Sequence, residues 1–297
     1  TTRAELDAEK ARVEEMREGV SEIHGRVKDA SLKQGLAALL LIGATSMAGA
    51  NAGYFGDISI GFEQVCAVEE APERGAMFCW GVDDFGEGNS GVPAGVKFTG
   101  VAAGGMHTCA LDGLSHPHCW GWEKYGQVTA IPGGGCDSGC ETKCYCTSTT
   151  VEYTALAVGY YHSCGLTVAQ TIKCWGGDVY GDPVSGVPTT DGDGSPLRFV
   201  QLAAGWYHNC AVTTTQDAKC WGWDVYGQAT VPADVQQKNI IHCAAGWYHT
   251  CCLDEDHIVH CWGADWQGQV SDVPEDVEFF QLALGWYTSV SYTHLTL

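Results

Sequence analysis

The chain is poor in basic residues: 15 Lys and Arg stand against 36 Asp and Glu in 297 residues. The shortage is steepest beyond residue 33, where eight basic residues face 28 acidic ones. A surface of that sign repels phosphate backbones, which are held by a basic footprint. Nucleic acid is therefore not an expected partner, and a cationic protein is the better electrostatic match. Charge of either sign is missing from residues 34–56, QGLAALLLIGATSMAGANAGYFG. A Gly-rich phosphate loop, a His-Glu-x-x-His helix and a Gly-x-Ser-x-Gly elbow are missing too. A catalytic site is singular, with different residues in different roles, whereas the polar groups that stand out here are repeated. The expectation is a non-catalytic protein with no cofactor and no small-molecule substrate; an enzyme using a central pore is the weakest reading.

What the chain has is one unit, written several times. Gly205–Gln228 reads GWYHNCAVTTTQDAKCWGWDVYGQ, and close copies run from Gly159 to Asp182 and from Gly246 to Gln269. A looser copy spans Gly104–Gln127, a degenerate one starts at Gly61, and half a copy begins at Gly285. The equivalent positions Gln64, His107, His162, His208, His249 and Thr288 are separated by 43, 55, 46, 41 and 39 residues, a period that marks a propeller or stacked array. Within a unit, His208–Thr213 alternates small, β-branched and Cys residues, a polar turn follows, and Ala218–Trp221 returns, which is a hairpin pattern. A Val-Pro or Ile-Pro pair then suits a strand edge, and a further strand (Val200–Ala204, Phe279–Ala283) leads into the next Gly. The fold class expected is all-β, a β-propeller with four short strands per blade. Six blades are favoured and seven possible, with a strand around Tyr54–Ile60 completing the last.

The pattern Gly-x-x-His-x-Cys-x-Leu followed by Cys-Trp-Gly-x-Asp-x-Tyr-Gly-Gln resembles the repeat of the regulator of chromosome condensation family. It is closest to the Cys-bearing, short-repeat variety of secreted and membrane-tethered propellers. The resemblance covers roughly residues 57–290 and recurs five times. It implies structural roles for His107, His162, His208 and His249, and for Trp80, Trp120, Trp175, Trp221 and Trp262. The chain departs from the family by placing acids where Asn is usual, at Asp83, Glu123, Asp178, Asp224 and Asp265. Those acids are expected on one rim as a negative ring. Either they accept local backbone hydrogen bonds or they hold a cation such as calcium.

Each repeat holds a cysteine pair: Cys66/Cys79, Cys109/Cys119, Cys164/Cys174, Cys210/Cys220 and Cys251/Cys261. The last four pairs are ten residues apart and symmetric about the hairpin turn, which places them opposite each other and within disulfide reach. The alternative is buried thiols. Cys136, Cys140, Cys144 and Cys146 lie in an insertion at 133–150, where two disulfides or a zinc site are open. Cys243 and Cys252 complete an even sixteen. One pair per blade argues for an oxidising compartment. His116, His118, His257 and His260 read as scattered surface residues at hairpin tips, or as metal ligands. The paired aromatics Tyr160/Tyr161, Trp206/Tyr207, Trp247/Tyr248 and Trp286/Tyr287 are of types enriched in interaction hot spots, or else fill contacts between blades.

The front of the chain differs. Leu6, Val13, Val20 and Val27 recur every seven residues, and so do Met16, Ile23 and Ala30 with an offset of three. This a/d seam predicts a helix over 1–34 that packs on another subunit, on its own domain or on a membrane surface. Residues 35–56 are long enough to span a bilayer; a cleavable signal and a buried helix are the rival readings. If the segment spans, the basic residues ahead of it place the N-terminus on the cytoplasm-like side. The propeller at 57–297 then lies on the trans side: an organelle lumen, an intermembrane space or outside the cell. Two functions are expected on these grounds. One is an anchored accessory subunit that scaffolds a membrane complex of protein subunits; the other is a soluble inhibitor or receptor-type binding propeller.

Overall fold

The computed structural model describes residues 54–62, 64–71, 75–136, 144–179, 181–274, 277–285 and 289–292. The chain divides into two compact units, Thr1–Tyr54 and Phe55–Leu297, and the described residues fall almost entirely in the second. The expected heptad helix over 1–34 lies outside the described residues, and so does nearly all of the expected membrane span over 35–56. Among the described residues no helix is long and apolar enough to cross a membrane.

The described chain is all β, arranged as successive small antiparallel sheets, one per repeat. The first holds β1 (Tyr54–Ile60), β2 (Gln64–Ala71) and β3 (Met77–Gly81). The second holds β4 (Phe98–Ala103), β5 (His107–Asp112) and β6 (Pro117–Gly121), extended by β7 (Gly134–Cys136) and β8 (Cys144–Ser148). The third is β9 (Tyr153–Val158), β10 (His162–Thr167) and β11 (Ile172–Gly176). The fourth is β12 (Phe199–Ala204), β13 (His208–Thr213) and β14 (Ala218–Gly222). The fifth is β15 (Ile240–Ala245), β16 (His249–Asp254) and β17 (Val259–Gly263), and a sixth pairs β18 (Gln281–Leu284) with β19 (Ser289–Tyr292).

Two expectations are corrected. Tyr54–Ile60 does not complete the last sheet; it pairs with β2 in the first. It stands directly before its Gly head at Gly61, as β4, β9, β12 and β15 do before theirs, so the short connection between β1 and β2 returns it to its own hairpin. The expected fourth strand is absent among the described residues of the first, third, fourth and fifth sheets. The Pro pairs that were to start it lack a donor, and Val187-Pro188 and Val231-Pro232 sit outside any strand. Among the described residues the outer position is taken in the second sheet, by β8 from the Cys-rich insertion, in the order β4-β5-β6-β8-β7.

Consecutive sheets are stitched by backbone. The hairpin turns of the second to fifth sheets place Ser115, Gln170, Gln216 and His257 at φ +61° to +65°. The carbonyl of each then accepts an N–H at or just ahead of the start of the next sheet: Tyr153, Phe199 and Ile240, which open β9, β12 and β15, and Phe279, two residues before β18, at 2.7–2.9 Å. Apolar cores fill the spaces between neighbouring sheets. Cys66, Val68, Met77 and Phe98 pack with Trp120; Val128, Ile131 and Tyr153 with Trp175; Leu166, Ile172 and Phe199 with Trp221; Val212, Val235 and Ile240 with Trp262. Each of these Trp belongs to the following sheet and closes the core of the one before it.

Candidate functional site

The repeated His and Trp are engaged at the blade junctions, and register explains why they recur together. On each hairpin the residue after His lies directly opposite Trp: Thr108 and Trp120, Ser163 and Trp175, Asn209 and Trp221, Thr250 and Trp262. Both members donate to one carbonyl of the preceding repeat. Thr108 Oγ1 and Trp120 Nε1 reach Glu87 O at 2.7 and 3.1 Å. Asn209 Nδ2 and Trp221 Nε1 reach Pro183 O at 2.9 and 3.0 Å. Thr250 Oγ1 and Trp262 Nε1 reach Gln228 O at 2.9 and 3.0 Å. Ser163 and Trp175 do the same at Gln127 O.

The preceding His completes the joint. His107, His162 and His208 place Nε2 at 2.7, 2.9 and 2.9 Å from Ser163 Oγ, Asn209 Oδ1 and Thr250 Oγ1. Because each of those partners already donates to a carbonyl, it accepts from the imidazole, and Nε2 carries the proton. Burial holds the rings neutral, with pKa lowered to about 3 for His107 and His208 and to about 4 for His162 and His249. Gly159, Gly205 and Gly246 must be Gly, since a Cβ there would meet the imidazole of His162, His208 or His249 at 2.3–2.5 Å.

Trp80 is the exception. It is 37% exposed, against 0–6% for the other four, so the structural role inferred for it does not extend to the first repeat. No carbonyl of a preceding blade receives its indole among the described residues. Gln64, in the His position, is buried with neither amide atom hydrogen-bonded.

The loop acids act as local caps. Asp83 accepts from the N–H of Gly88 and Ser90, Glu123 from Val128 and Thr129, and Asp178 from Val184 and Ser185. Asp224 accepts from Ala229 and Thr230, and Asp265 from Val270 and Ser271, at 2.7–3.1 Å. These bonds hold Asp265 below the usual carboxylate range. Among the described residues no three acidic, His or Cys side chains group to hold a metal ion.

The five repeat cysteine pairs are disulfides: Cys66–Cys79, Cys109–Cys119, Cys164–Cys174, Cys210–Cys220 and Cys251–Cys261. A sixth, Cys243–Cys252, ties β15 to β16. The repeat pattern alone does not assign that pair, although Cys252 stands out by sitting beside a cysteine already bonded. In the insertion, Cys136 lies on β7 and Cys144 and Cys146 on β8, while Cys140 falls outside the described residues. Cys146 is disulfide-bonded, which withdraws it from a four-thiolate zinc set.

His118 and His260 are not scattered surface groups. Each lies on a strand and places Nε2 at 3.0 or 2.9 Å from Asp112 or Asp254, six residues earlier. His118 Nδ1 also meets Tyr145 OH at 2.5 Å, joining β6 to the inserted β8. These bonds pull both Asp carboxyls down, against the opposing effect of burial. The sequence signal for such a pair is an acid at the end of the second strand and a His near the start of the third.

What remains is aromatic. The Gly-x-x-His heads and the Trp-Gly-x-Asp-x-Tyr loops meet on one face, where rings form a continuous arc. Trp122 contacts Tyr161 at 5.6 Å, Tyr161 contacts Tyr207 at 5.9 Å, Tyr207 contacts Trp223 at 5.6 Å and Trp223 contacts Tyr248 at 5.0 Å. Trp266 closes on Tyr226 and Tyr248 at 4.8 and 5.4 Å. An inner row, Tyr160, Trp206 and Trp247, follows at 4.6 and 3.8 Å. Trp122, Tyr125, Tyr161, Tyr207, Tyr226 and Trp266 are half-buried, whereas Trp223, Tyr248, Tyr160 and Trp247 are buried. Trp286 and Tyr287 lie outside the described residues.

The regulator of chromosome condensation (RCC1) repeat model matches residues 153–182, 199–228 and 240–269. The chain carries RCC1-type repeats. Solved structures similar to this RCC1-type propeller include the ectodomain of the Physcomitrella patens receptor kinase CR4, 23% identical, with a TM-score of 0.60 over 80% of this chain. The chain spans 58% of that ectodomain. Human WBSCR16 matches at 14% identity and a TM-score of 0.65, over 82% of this chain and 73% of its own. Prp20p from Saccharomyces cerevisiae matches at 18% and 0.61, over 80% and 69%. At these identities the likeness is one of fold.

Proposed function

We propose that the protein is a non-catalytic interaction propeller of an oxidising compartment, held as an accessory subunit on a membrane assembly by its first 56 residues. The observation that carries the interaction reading is the division of side chains between the junctions and one face. His107, His162 and His208 and four of the repeated Trp are engaged in holding repeats together and the loop acids cap their own loops, while Trp122, Tyr125, Tyr161, Tyr207, Tyr226 and Trp266 of the aromatic arc stay half-buried. Aromatic rings at a surface are the residues from which interaction hot spots are made. Disulfides in each of the first five sheets support an oxidising surrounding, since they persist where thiols are not kept reduced. The charge-free stretch at 35–56 supports an anchor, and the heptad seam of Leu6, Val13, Met16, Val20, Ile23 and Val27 supports docking on a partner helix. An isolated helix of that length is marginal in water and gains order from a neighbour.

The test uses the full chain in native membranes. Alkaline carbonate should leave it in the pellet, and protease added to sealed vesicles should spare the propeller. Val13→Glu with Val20→Glu should release it from co-purifying subunits while leaving the propeller folded. Complete extraction by carbonate would remove the anchored reading and favour the soluble binding propeller. Undiminished co-purification of the double variant would move the docking surface to the propeller face.

A further inference from the structure

We infer that the outer edge of β17 takes an extended strand of a partner protein, with a tyrosine of that strand donating its hydroxyl to His260 Nδ1. This surface is distinct from the aromatic arc and does not depend on it. The chain shows the arrangement itself in the second sheet, where β8 lies along the outer edge of β6.

The second and fifth hairpins carry the same pair of groups. Asp112 ends β5 and holds His118 Nε2 at 3.0 Å, and Asp254 ends β16 and holds His260 Nε2 at 2.9 Å. A neutral imidazole that donates from Nε2 to a carboxylate keeps Nδ1 as an acceptor. In the second sheet that acceptor is filled. Tyr145 of β8 brings its hydroxyl to His118 Nδ1 at 2.5 Å, and the two rings stack at 5.9 Å. In the fifth sheet His260 Nδ1 has no hydrogen-bond partner among the described residues. Burial follows the added strand. Every residue of β6 is buried, whereas Val259, His260, Cys261 and Gly263 of β17 are half-buried. The His118 side chain is 8% exposed and that of His260 18%.

The backbone of β17 is set for pairing. Cys251 and Cys261 face each other with Cα atoms 4.1 Å apart, the spacing of a pair not joined by ladder bonds. The N–H and C=O of Cys261 therefore turn away from β16, and those of Val259, two residues earlier, turn with them. Cys119 stands the same way on β6, and there β8 pairs with it at Cys146. Main-chain bonds along such an edge hold an added strand, and side-chain pockets select it. The other outer strands lack the pair. Lys173 on β11 and Lys219 on β14 occupy the place of His260, and an edge lysine discourages pairing. Phe78 occupies it on β3. Among the described residues no strand of this chain other than β16 pairs with β17. A second copy meeting edge to edge would offer Val-His-Cys-Trp-Gly, which has no hydroxyl for Nδ1.

The probe is the peptide Lys-Val-Tyr-Val-Thr-Ser-Thr, the sequence of residues 143–149 with Val in place of both Cys, beside its Phe-for-Tyr counterpart. Each is titrated at neutral pH into the isotope-labelled full chain in detergent and followed through amide proton shifts. The Tyr peptide should move the signals of Val259 and Cys261 and bind about three- to tenfold tighter than the Phe peptide, the worth of one hydrogen bond. His260→Lys copies the residue of β11 and β14 and should remove both the shifts and the preference. Val259→Pro deletes an outward N–H without touching the β16 ladder and should weaken the Tyr peptide by a similar factor. Thermal melts establish that both variants fold, and the comparison of the two peptides on wild type stands without them. Equal binding of the two peptides, or β17 signals that do not move, would overturn the inference. A Tyr peptide that binds folded His260→Lys as it binds wild type would overturn it as well. Should wild type sediment as a dimer that Val259→Pro dissolves, the occupant is a second copy and the partner strand falls.

Discussion

His208 donates from Nε2 to Thr250 Oγ1 at 2.9 Å across a blade boundary, and Thr250 Oγ1 in turn donates to the carbonyl of Gln228 at 2.9 Å. The relay works only while the imidazole is neutral and fully buried. The folded pKa is about 3 for His107 and His208 and about 4 for His162 and His249, against an unperturbed value near 6.5.

That relationship fixes a pH dependence. Between about pH 6.5 and 4 the unfolded chain binds protons on these four groups and the folded chain does not, so stability falls as pH falls. The carboxyls of Asp112, Asp254 and Asp265, held below their ordinary values in the fold, add a further loss only as pH drops below about 4. Urea midpoints measured from pH 7.5 to 4.5 should decline steadily, and His208→Gln should flatten the slope by about one proton while lowering stability at pH 7.5. A midpoint unchanged down to pH 4.5 would contradict neutral buried imidazoles.

The two adjacent cysteines of β16 should be bonded to different strands. Register sets Cys251 opposite Cys261 of β17 and Cys252 opposite Cys243 of β15, with Cα atoms 4.1 and 4.0 Å apart. Consecutive residues of a strand point to opposite faces, so the fifth blade is stapled once on each face. Mass-spectrometric mapping that fragments between Cys251 and Cys252 should recover these two links and not Cys243–Cys251. Cys243→Ala with Cys252→Ala should cost about 2–3 kcal/mol, the chain-entropy value for so short a loop.

The architecture is legible because one unit is written five times. The positions of His107, His162, His208 and His249 give the period, and Cys pairs ten apart give the hairpin register. The partners of those residues are harder to read because they vary: Thr108, Ser163, Asn209 and Thr250 share a donor and an acceptor but not a name. The carbonyls they bond leave no trace in side chains at all, and in one case the acceptor is Pro183, one residue past the position matching Gln127. The fate of Tyr54–Ile60 depends on which of two hairpins it meets, which is a question of chain connection rather than pattern. Trp122 and Trp223 are two members of the aromatic arc but sit in a loop position where the other repeats have Val82, Gly177 and Ala264, so repetition does not expose them.

The loop acids supply a test of capping against cation binding. Asp224 Oδ1 takes the N–H of Ala229 and Thr230, and an amide oxygen does the same. Asp224→Asn should therefore leave the melting temperature nearly unchanged. Asp224→Ala should lower it by about 2–4 °C, the shift expected for roughly 1 kcal/mol in a domain of this size. Millimolar calcium should move neither value, and a calcium-dependent rise that Asp224→Asn abolishes would make the acid a ligand.

The first repeat invites a repair. Gln64 occupies the His position of β2, packed at 2% exposure, and neither its amide nitrogen nor its amide oxygen has a hydrogen-bond partner. A buried amide left in that state costs desolvation without return. At the next three junctions the same position carries a His whose Nε2 reaches a hydroxyl or amide of the following repeat. Thr108 is the matching residue here, and its Oγ1 donates to Glu87 O at 2.7 Å, which leaves it able to accept. Gln64→His should place Nε2–H against Thr108 Oγ1, as His208 does against Thr250, and should gain about 1 kcal/mol. The gain should vanish in Thr108→Val and should shrink as pH falls below about 6.5, because the new imidazole joins the set that must stay neutral. Thermal melts of the two single variants and the double at pH 7.5 and 5 measure both effects. A Gln64→His protein no more stable than wild type, with Thr108 intact, would show that the first junction is not built on the rule of the others.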